Sequence, residues 1–267
     1  MANPIRWSAF LLLLPVGLSA QSRRAPMIEQ QQSGTTARLQ AVWVVNDRIV
    51  WASGTRGTFT RTTDGGKTWA AGVVAGADSL EFRDVHAFDE NRAVLLAAGP
   101  GDKSRLYHTT DGGRSWKLAF TNRDPARFYD CIDFQGRTGY AVSDAVGGRF
   151  PLLRSVDGGE SWEEWSPSGA QVAAAEGEGA FAASGTCLTI HPDGSVWVGT
   201  AGGARAVRFA ADGSTSFPTP IVKGNAAGVA TIAFRDPKLG IVAGGDLAKP
   251  TEFLDNVAVT TDGGRTW

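Results

Sequence analysis

The sequence predicts an all-β fold, a β-propeller of four-stranded blades, and three observations carry that prediction. An eight-residue motif recurs at blade spacing, short β-branched and aromatic runs fill the intervals, and glycine is abundant without any helical pattern. The motif reads TTDGGKTW from Thr62 to Trp69, TTDGGRSW from Thr109 to Trp116, SVDGGESW from Ser155 to Trp162 and TTDGGRTW from Thr260 to Trp267. A weaker copy, AADGSTSF, runs from Ala210 to Phe217. Its aspartates stand at 64, 111, 157, 212 and 262, so successive copies lie 47, 46, 55 and 50 residues apart. That is the length of one propeller blade.

Each part of the motif has a local physical reason. An aspartate accepts hydrogen bonds from backbone N–H groups just downstream, closing an Asx turn. Paired glycines supply left-handed backbone angles in a tight hairpin. Hydroxyls of Thr or Ser add local bonds, and the closing aromatic plugs the turn onto the blade. Asp64, Trp69, Asp111, Trp116, Asp157, Trp162, Asp212, Asp262 and Trp267 are therefore expected to be structural.

Between the turns, each period repeats the same alternation. The first blade uses AVWVV and RIVWASG; the second DVHAF, RAVLLAAG, RLYHTT and SWKLAF; the third DCIDF, GYAVSD, LLRS and SWEEW. The fourth has TCLTI, VWVGTA and AVRFAA, and the fifth TIAFRD, GIVAGG and VAVTT. These read as strands bounded by turn residues, with the motif between the third and fourth strand of each blade. Val172 to Ala183, the best helical stretch, is interrupted by Gly177 and Gly179. Five repeats are visible, and the fifth reaches Trp267 before a fourth strand. A ring of six to eight blades is expected, of which this chain would be a truncated part.

Composition agrees. The 267 residues include 34 Gly and 9 Trp, and glycine at about 7 % is the ordinary level. A formal net charge of −1 offers no reason to expect nucleic acid as a partner. Residues 1–20 read as a secretory signal: Arg6 precedes an apolar Phe10–Leu18 stretch, and Leu18-Ser19-Ala20 offers a small-residue exit. That stretch is too short to span a bilayer, so no stable membrane span is expected after cleavage. Residues 21–38 then form a linker and 39–267 the propeller, in a secreted or periplasmic protein.

The repeated S/T-x-D-x-G-x-T-W unit resembles the Asp-box (BNR) repeat of sialidase-like propellers. With a signal segment, the tandem array is similar to the photosystem II stability and assembly factor family and its bacterial relatives, over about Leu39 to Trp267. The resemblance implies a non-enzymatic scaffold that binds a protein or peptide partner, with Asp boxes at the blade periphery, away from the ligand face.

The search for chemistry is mostly negative. FRDP (Phe234 to Pro237) only approaches a sialidase arginine motif. GEGAFA (Gly177 to Ala182) matches a dinucleotide fingerprint without the flanking helix that fingerprint needs. His86, His108 and His191 are scattered over three blades with no metal-ligand spacing, so neither metal nor cofactor is expected; His86, alternating with Phe88, reads as inter-blade packing. Asp84 and Asp130 each precede a strand aromatic by four residues. They are expected at equivalent channel-mouth positions, where paired carboxylates would suit a glycoside hydrolase with a carbohydrate ligand, the alternative function. The structural reading of the same acids has them binding loop N–H groups or pairing with Arg83 and Arg127. Cys131 and Cys187 are expected as rotational equivalents with side chains facing the same way round the ring, hence two buried free thiols, with a disulfide as the alternative. Loops joining second to third strands and blade to blade share one face. Arg56, Lys103, Arg105, Arg149, Arg205 and Lys249 fall on it and are the expected binding face for an acidic peptide or carboxylate.

Overall fold

Every described strand belongs to one of five antiparallel four-stranded sheets. The computed structural model describes residues 28–183 and 185–267. The expected signal segment and the start of the linker lie outside the described residues. Blade one comprises β1 (Leu39–Val44), β2 (Val50–Gly54), β3 (Thr58–Thr62) and β4 (Ala70–Val73). Blade two comprises β5 (Phe82–Ala87), β6 (Ala93–Ala97), β7 (Arg105–Thr109) and β8 (Lys117–Thr121). Blade three comprises β9 (Tyr129–Gln135), β10 (Thr138–Ser143), β11 (Leu152–Ser155) and β12 (Glu163–Trp165). The fourth contains β13 (Leu188–Ile190), β14 (Val196–Gly199), β16 (Arg205–Ala210) and β17 (Gly213–Pro218). The fifth contains β18 (Gly224–Phe234), β19 (Gly240–Asp246) and β20 (Val257–Thr260), and its fourth member, β15 (Ala201–Gly202), is lent by the β14–β16 loop and pairs with β18.

The first strands of successive blades, β1, β5, β9, β13 and β18, pack against one another in order. Alternating side chains then face either the preceding or the following blade, and one apolar cluster fills each interface. Trp51, Phe59 and Leu95 lie between blades one and two, and Val94, Leu96 and Leu153 between two and three. Val142, Leu152 and Val198 lie between three and four, and Trp197, Ile232 and Val242 between four and five. Removing a buried Leu such as Leu96 would cost about 2–5 kcal/mol in transfer and cavity terms. The outward faces of the first and fifth sheets carry Val42, Val44, Val257 and Val259, each about three-fifths exposed (64, 64, 60 and 58 %). Cross-strand pairing aligns Val42 and Val44 with Val85 and Ala87 of blade two, which are buried under blade one.

The Asp-box turns are built identically in blades one, two, three and five. Thr62 Oγ1 donates to Asp64 Oδ1 at 2.8 Å and accepts from Gly66 N at 2.9 Å. Asp64 in turn accepts from Thr68 N at 2.9 Å and Thr68 Oγ1 at 2.7 Å. The same bonds recur around Asp111, Asp157 and Asp262. These accepted bonds hold the carboxyls of Asp64, Asp111 and Asp262 down to about 2. In Asp157 they outweigh the opposing desolvation and bring it to about 2 as well.

Within each box the two glycines differ in role. Both have positive φ, but in blades two, three and five the second also leans on the preceding blade. A Cβ on Gly113 would lie 2.5 Å from the Phe59 ring, on Gly159 2.4 Å from Val94, and on Gly264 2.5 Å from the Trp197 ring. The closing tryptophans follow the same direction: Trp116 joins the first interface core, Trp162 the second and Trp267 the fourth.

Two expectations are corrected. Asp212 is not an Asp box: β16 and β17 pair through Ala210 opposite Gly213, leaving Ala211 and Asp212 as a two-residue turn. Ala210 has no hydroxyl to organise the larger turn. Cys131 and Cys187 are not free thiols but form a disulfide with Cα atoms 5.9 Å apart. They are rotational equivalents as expected, but Cys187 is held to β14 through its carbonyl alone, which accepts from Gly199 N at 2.9 Å. Where the innermost strands converge, the two residues meet. The N–H of Cys187 points at the Cys131 sulfur, 3.2 Å away.

Two predictions follow from this packing. Gly158 has nothing within 4 Å of an added Cβ, whereas Gly159 would strike Val94. Gly158→Ala should therefore cost only the left-handed strain, about 1 kcal/mol, and Gly159→Ala about 1–3 kcal/mol more from overpacking. Urea titrations of the two variants check this, and equal losses would contradict the contact. For the disulfide, unfolded but unreduced protein should show no free thiol to a thiol reagent, and Cys131→Ser with Cys187→Ser should cost about 2–5 kcal/mol.

Candidate binding face

The residues expected to bind sit on loops at one end of the blades, and the structure divides them. Arg205 is committed internally: its guanidinium forms a short ion pair with Glu178, whose side chain is fully buried, and Nε lies 3.0 Å from Glu178 Oε1. Arg105 folds back on Asp102, through Nε to its carbonyl at 2.6 Å and Nη2 to Oδ2 at 3.3 Å. Lys249 pairs with Glu252 at 3.3 Å. Arg56, at φ 60°, reaches only the Thr36 hydroxyl at 3.4 Å. Lys103 and Arg149 are exposed and make no ion pair among the described residues.

Blade-to-blade loops add basic residues beyond the six expected on this face. Arg123 is exposed and unpaired among the described residues. Arg127 bonds Glu164 and, at 3.2 Å, Asp124. Asn122 pins this loop by donating to the carbonyls of Gly101, Asp124 and Arg127 at 2.9–3.0 Å. The run Asn122-Arg123-Asp124-Pro125 reads as an ordinary turn, so only its position in a blade-to-blade connection could have flagged Arg123.

Two clefts meet here. One of about 900 Å³ runs along β8 past Arg123 and Arg127 to Glu164. Another of about 320 Å³ lies between Arg127, Arg149, Trp165 and Gln171. Arg127, Asp124 and Glu164 line both, so they form one groove across blades two and three. A third, about 210 Å³, holds Lys103 and Arg83.

The channel side is closed differently. The loop from blade three to blade four, residues 166–187, crosses the inner strands. Ala180 N donates to Asp144 Oδ1 at 3.0 Å, Ile232 N of blade five donates to the Thr186 carbonyl at 3.0 Å, and Gly185 lies against Asp84 of blade two. Asp84 is buried and accepts from Val85 N and Ile132 N, both at 2.7 Å. It thus ties blade two to blade three. Asp133 does the same one blade on, accepting from Ile190 N at 2.9 Å. His86 packs among Trp43, Phe88 and Phe134 at this seam.

Asp84 and Asp130 are therefore not equivalent. Cross-strand pairing places Asp84 level with Cys131, because they oppose Leu96 and Val142 of matching strands. Nor do these acids pair with Arg83 and Arg127, which bond Glu81 and Glu164 instead. Burial pushes the Asp84 carboxyl well up despite its two accepted bonds. Burial also pushes up Asp130, helped by the neighbouring Asp144 charge, and Asp130 Oδ2 has no hydrogen-bond partner. Neither carboxyl lines the clefts described above. No group of three or more His, Cys, Asp or Glu among the described residues is arranged to hold a metal.

No family model matches the chain. It is 32 % identical over 103 residues to the photosystem II assembly lipoprotein Ycf48 of Synechococcus sp. (strain CC9902), a match covering 38 % of this chain and 29 % of that protein. Among solved structures, YCF48 from Cyanidioschyzon merolae superposes with a TM-score of 0.52 at 13 % identity, covering 90 % of this chain and 87 % of that one. YCF48 bound to D1 peptide gives a TM-score of 0.45 at 20 % identity, covering 88 % and 82 %. The GH74 enzyme of Niastella koreensis gives 0.53 at 18 % identity, covering 86 % of this chain and 30 % of that enzyme. The fold is thus that of a propeller, and the chain resembles Ycf48 in sequence over part of its length.

Burial raises the Asp144 carboxyl as well. A raised folded-state value means that its contribution to stability is present at low pH and lost as pH rises through that value. Asp144→Asn keeps an acceptor for Ala180 N while removing the charge beside Asp130. Its melting temperature should exceed that of the parent at pH 8, and the gain should vanish at pH 4; a pH-independent difference would rule out the charge explanation.

Proposed function

We propose that this chain is a non-enzymatic propeller scaffold, acting outside the cytoplasm, that holds an acidic peptide segment of a protein partner on its loop face. The observation that carries this reading is the groove across blades two and three, lined by Arg123 and Arg149, both free of ion pairs among the described residues. Carboxylates recognise such guanidinium groups through charge-assisted, often bidentate, bonds. Phe120 and Trp165, in the same groove, offer apolar area for the intervening side chains.

The sequence match to an assembly lipoprotein supports an assembly role. The partner of that relative is not carried across, because the match spans 29 % of its length. Export is supported by residues 1–20 and by a buried disulfide, a bond that persists in oxidising compartments. The same geometry speaks against a glycoside hydrolase at Asp84 and Asp130, since the carboxyls engage or face backbone beneath the crossing loop rather than an open mouth.

Fluorescence anisotropy with a labelled peptide bearing several Glu or Asp residues and a free C-terminus tests the reading. Arg123→Ala with Arg149→Ala should weaken binding about tenfold or more, equivalent to about 1.4 kcal/mol, and added salt should weaken it further. Arg205→Ala should instead act on stability, because Arg205 neutralises buried Glu178. Unchanged affinity in the double variant would sink the proposal.

A further inference from the structure

The opposite end of the molecule carries a second cleft, about 720 Å³, between blades four and five. The corresponding crevices at the first two interfaces are filled. Between blades one and two, Arg61 lies 5.2 Å over the Trp51 ring and donates to the Glu90 carbonyl. Between blades two and three only about 30 Å³ remains. Blade four has the same Trp–Arg cross-strand pair, Trp197 opposite Arg208. There, however, Arg208 turns to Asp193 of its own blade at 3.2 Å and leaves the crevice open.

The degenerate repeat gives this cleft an aromatic wall. In blades two, three and five the closing Trp packs toward the preceding blade. The two-residue hairpin of blade four shortens the path to β17, and the aromatic at the corresponding motif position, Phe217, joins the core facing the following blade. A shift of register reverses the face of a strand residue in this way. Phe217 is half-buried and stacks on Trp197 with centroids 5.4 Å apart and planes 22° apart. Across the opening stand Lys238 and Arg265, both exposed and without an ion pair among the described residues, and the exposed Thr261.

We propose that this cleft binds an acidic saccharide of the uronate class, its carboxylate between Lys238 and Arg265 and a pyranose face on Phe217. The Asp193 and Asp262 carboxylates of the same lining are engaged by Arg208 and by the Thr260 and Thr266 hydroxyls. What remains, a ring flanked by two unpaired cations and a hydroxyl, suits a sugar whose C–H face is apolar and whose rim is polar. An acidic peptide would use the cations but has no need of the ring. This site lies apart from the loop face, on residues the peptide reading does not use.

Calorimetry on the full chain with α-1,4-linked trigalacturonate, its methyl ester and a glutamate pentapeptide tests the assignment. Trigalacturonate should bind, with the ester and the pentapeptide each about tenfold weaker or worse. Lys238→Ala with Arg265→Ala should weaken it about tenfold. Phe217→Leu, which keeps an apolar side chain in the core, should weaken it by a similar factor, whereas Arg149→Ala should leave it unchanged. Circular dichroism melts verify that each variant is folded. Absence of heat at about 1 mM trigalacturonate, equal binding of the ester or the pentapeptide, or indifference of folded variants to these substitutions would overturn the proposal.

Discussion

The array depends on how closely one blade's turn can approach the blade before it. In each full Asp box a hydroxyl and a carboxylate organise the turn, and in blades two, three and five the second glycine then presents bare backbone to a ring or a Val methyl of the neighbour. The contact joins local and global structure: the same short segment closes a hairpin and sets the spacing between sheets. Since no blade can bury both faces alone, that spacing decides whether the interface cores of Trp51, Leu96 or Trp197 close without voids. Carboxylates on the inner strands complete the joint. Asp84 and Asp133 each reach one blade forward to a backbone N–H that a strand at the edge of its sheet would otherwise leave unpaired.

What could be read from the residues alone follows from this. The Asp boxes are local devices, and each full copy folds as its letters suggest. The five repeats, their four-stranded sheets and the turn-building role of Asp64, Asp111, Asp157 and Asp262 were therefore legible, whereas the strand that the β14–β16 loop lends to the fifth sheet was not. Asp212 was not, because matching letters hid the absence of the hydroxyl at Ala210, and the hairpin took its shortest route. Cys131 and Cys187 misled for another reason. Their equivalence round the ring was visible, but the approach of the two inner strands, with the Cys187 N–H turned to the Cys131 sulfur rather than into its ladder, is a property of three-dimensional packing.

Charge was the least legible layer. Six bases were assigned to one face from loop position alone, yet Arg205 serves buried Glu178 while Arg105 and Lys249 are held by neighbouring acids. Which cations remain available depends on side-chain partners, and no sequence spacing reports that. The groove gained Arg123 from a loop that read as a plain turn. The second proposed site lies where the repeat is interrupted, at the shortened hairpin of blade four.

The disulfide has a topological consequence. Cys131 lies near the start of the third blade and Cys187 at the threshold of the fourth, so the bond encloses the remainder of β9, all of β10, β11 and β12, and the long crossing loop. A protease that cuts the backbone anywhere inside that circuit leaves the two halves of the molecule covalently joined. The longest connection between the described strands can therefore be nicked without parting the blades on either side of it.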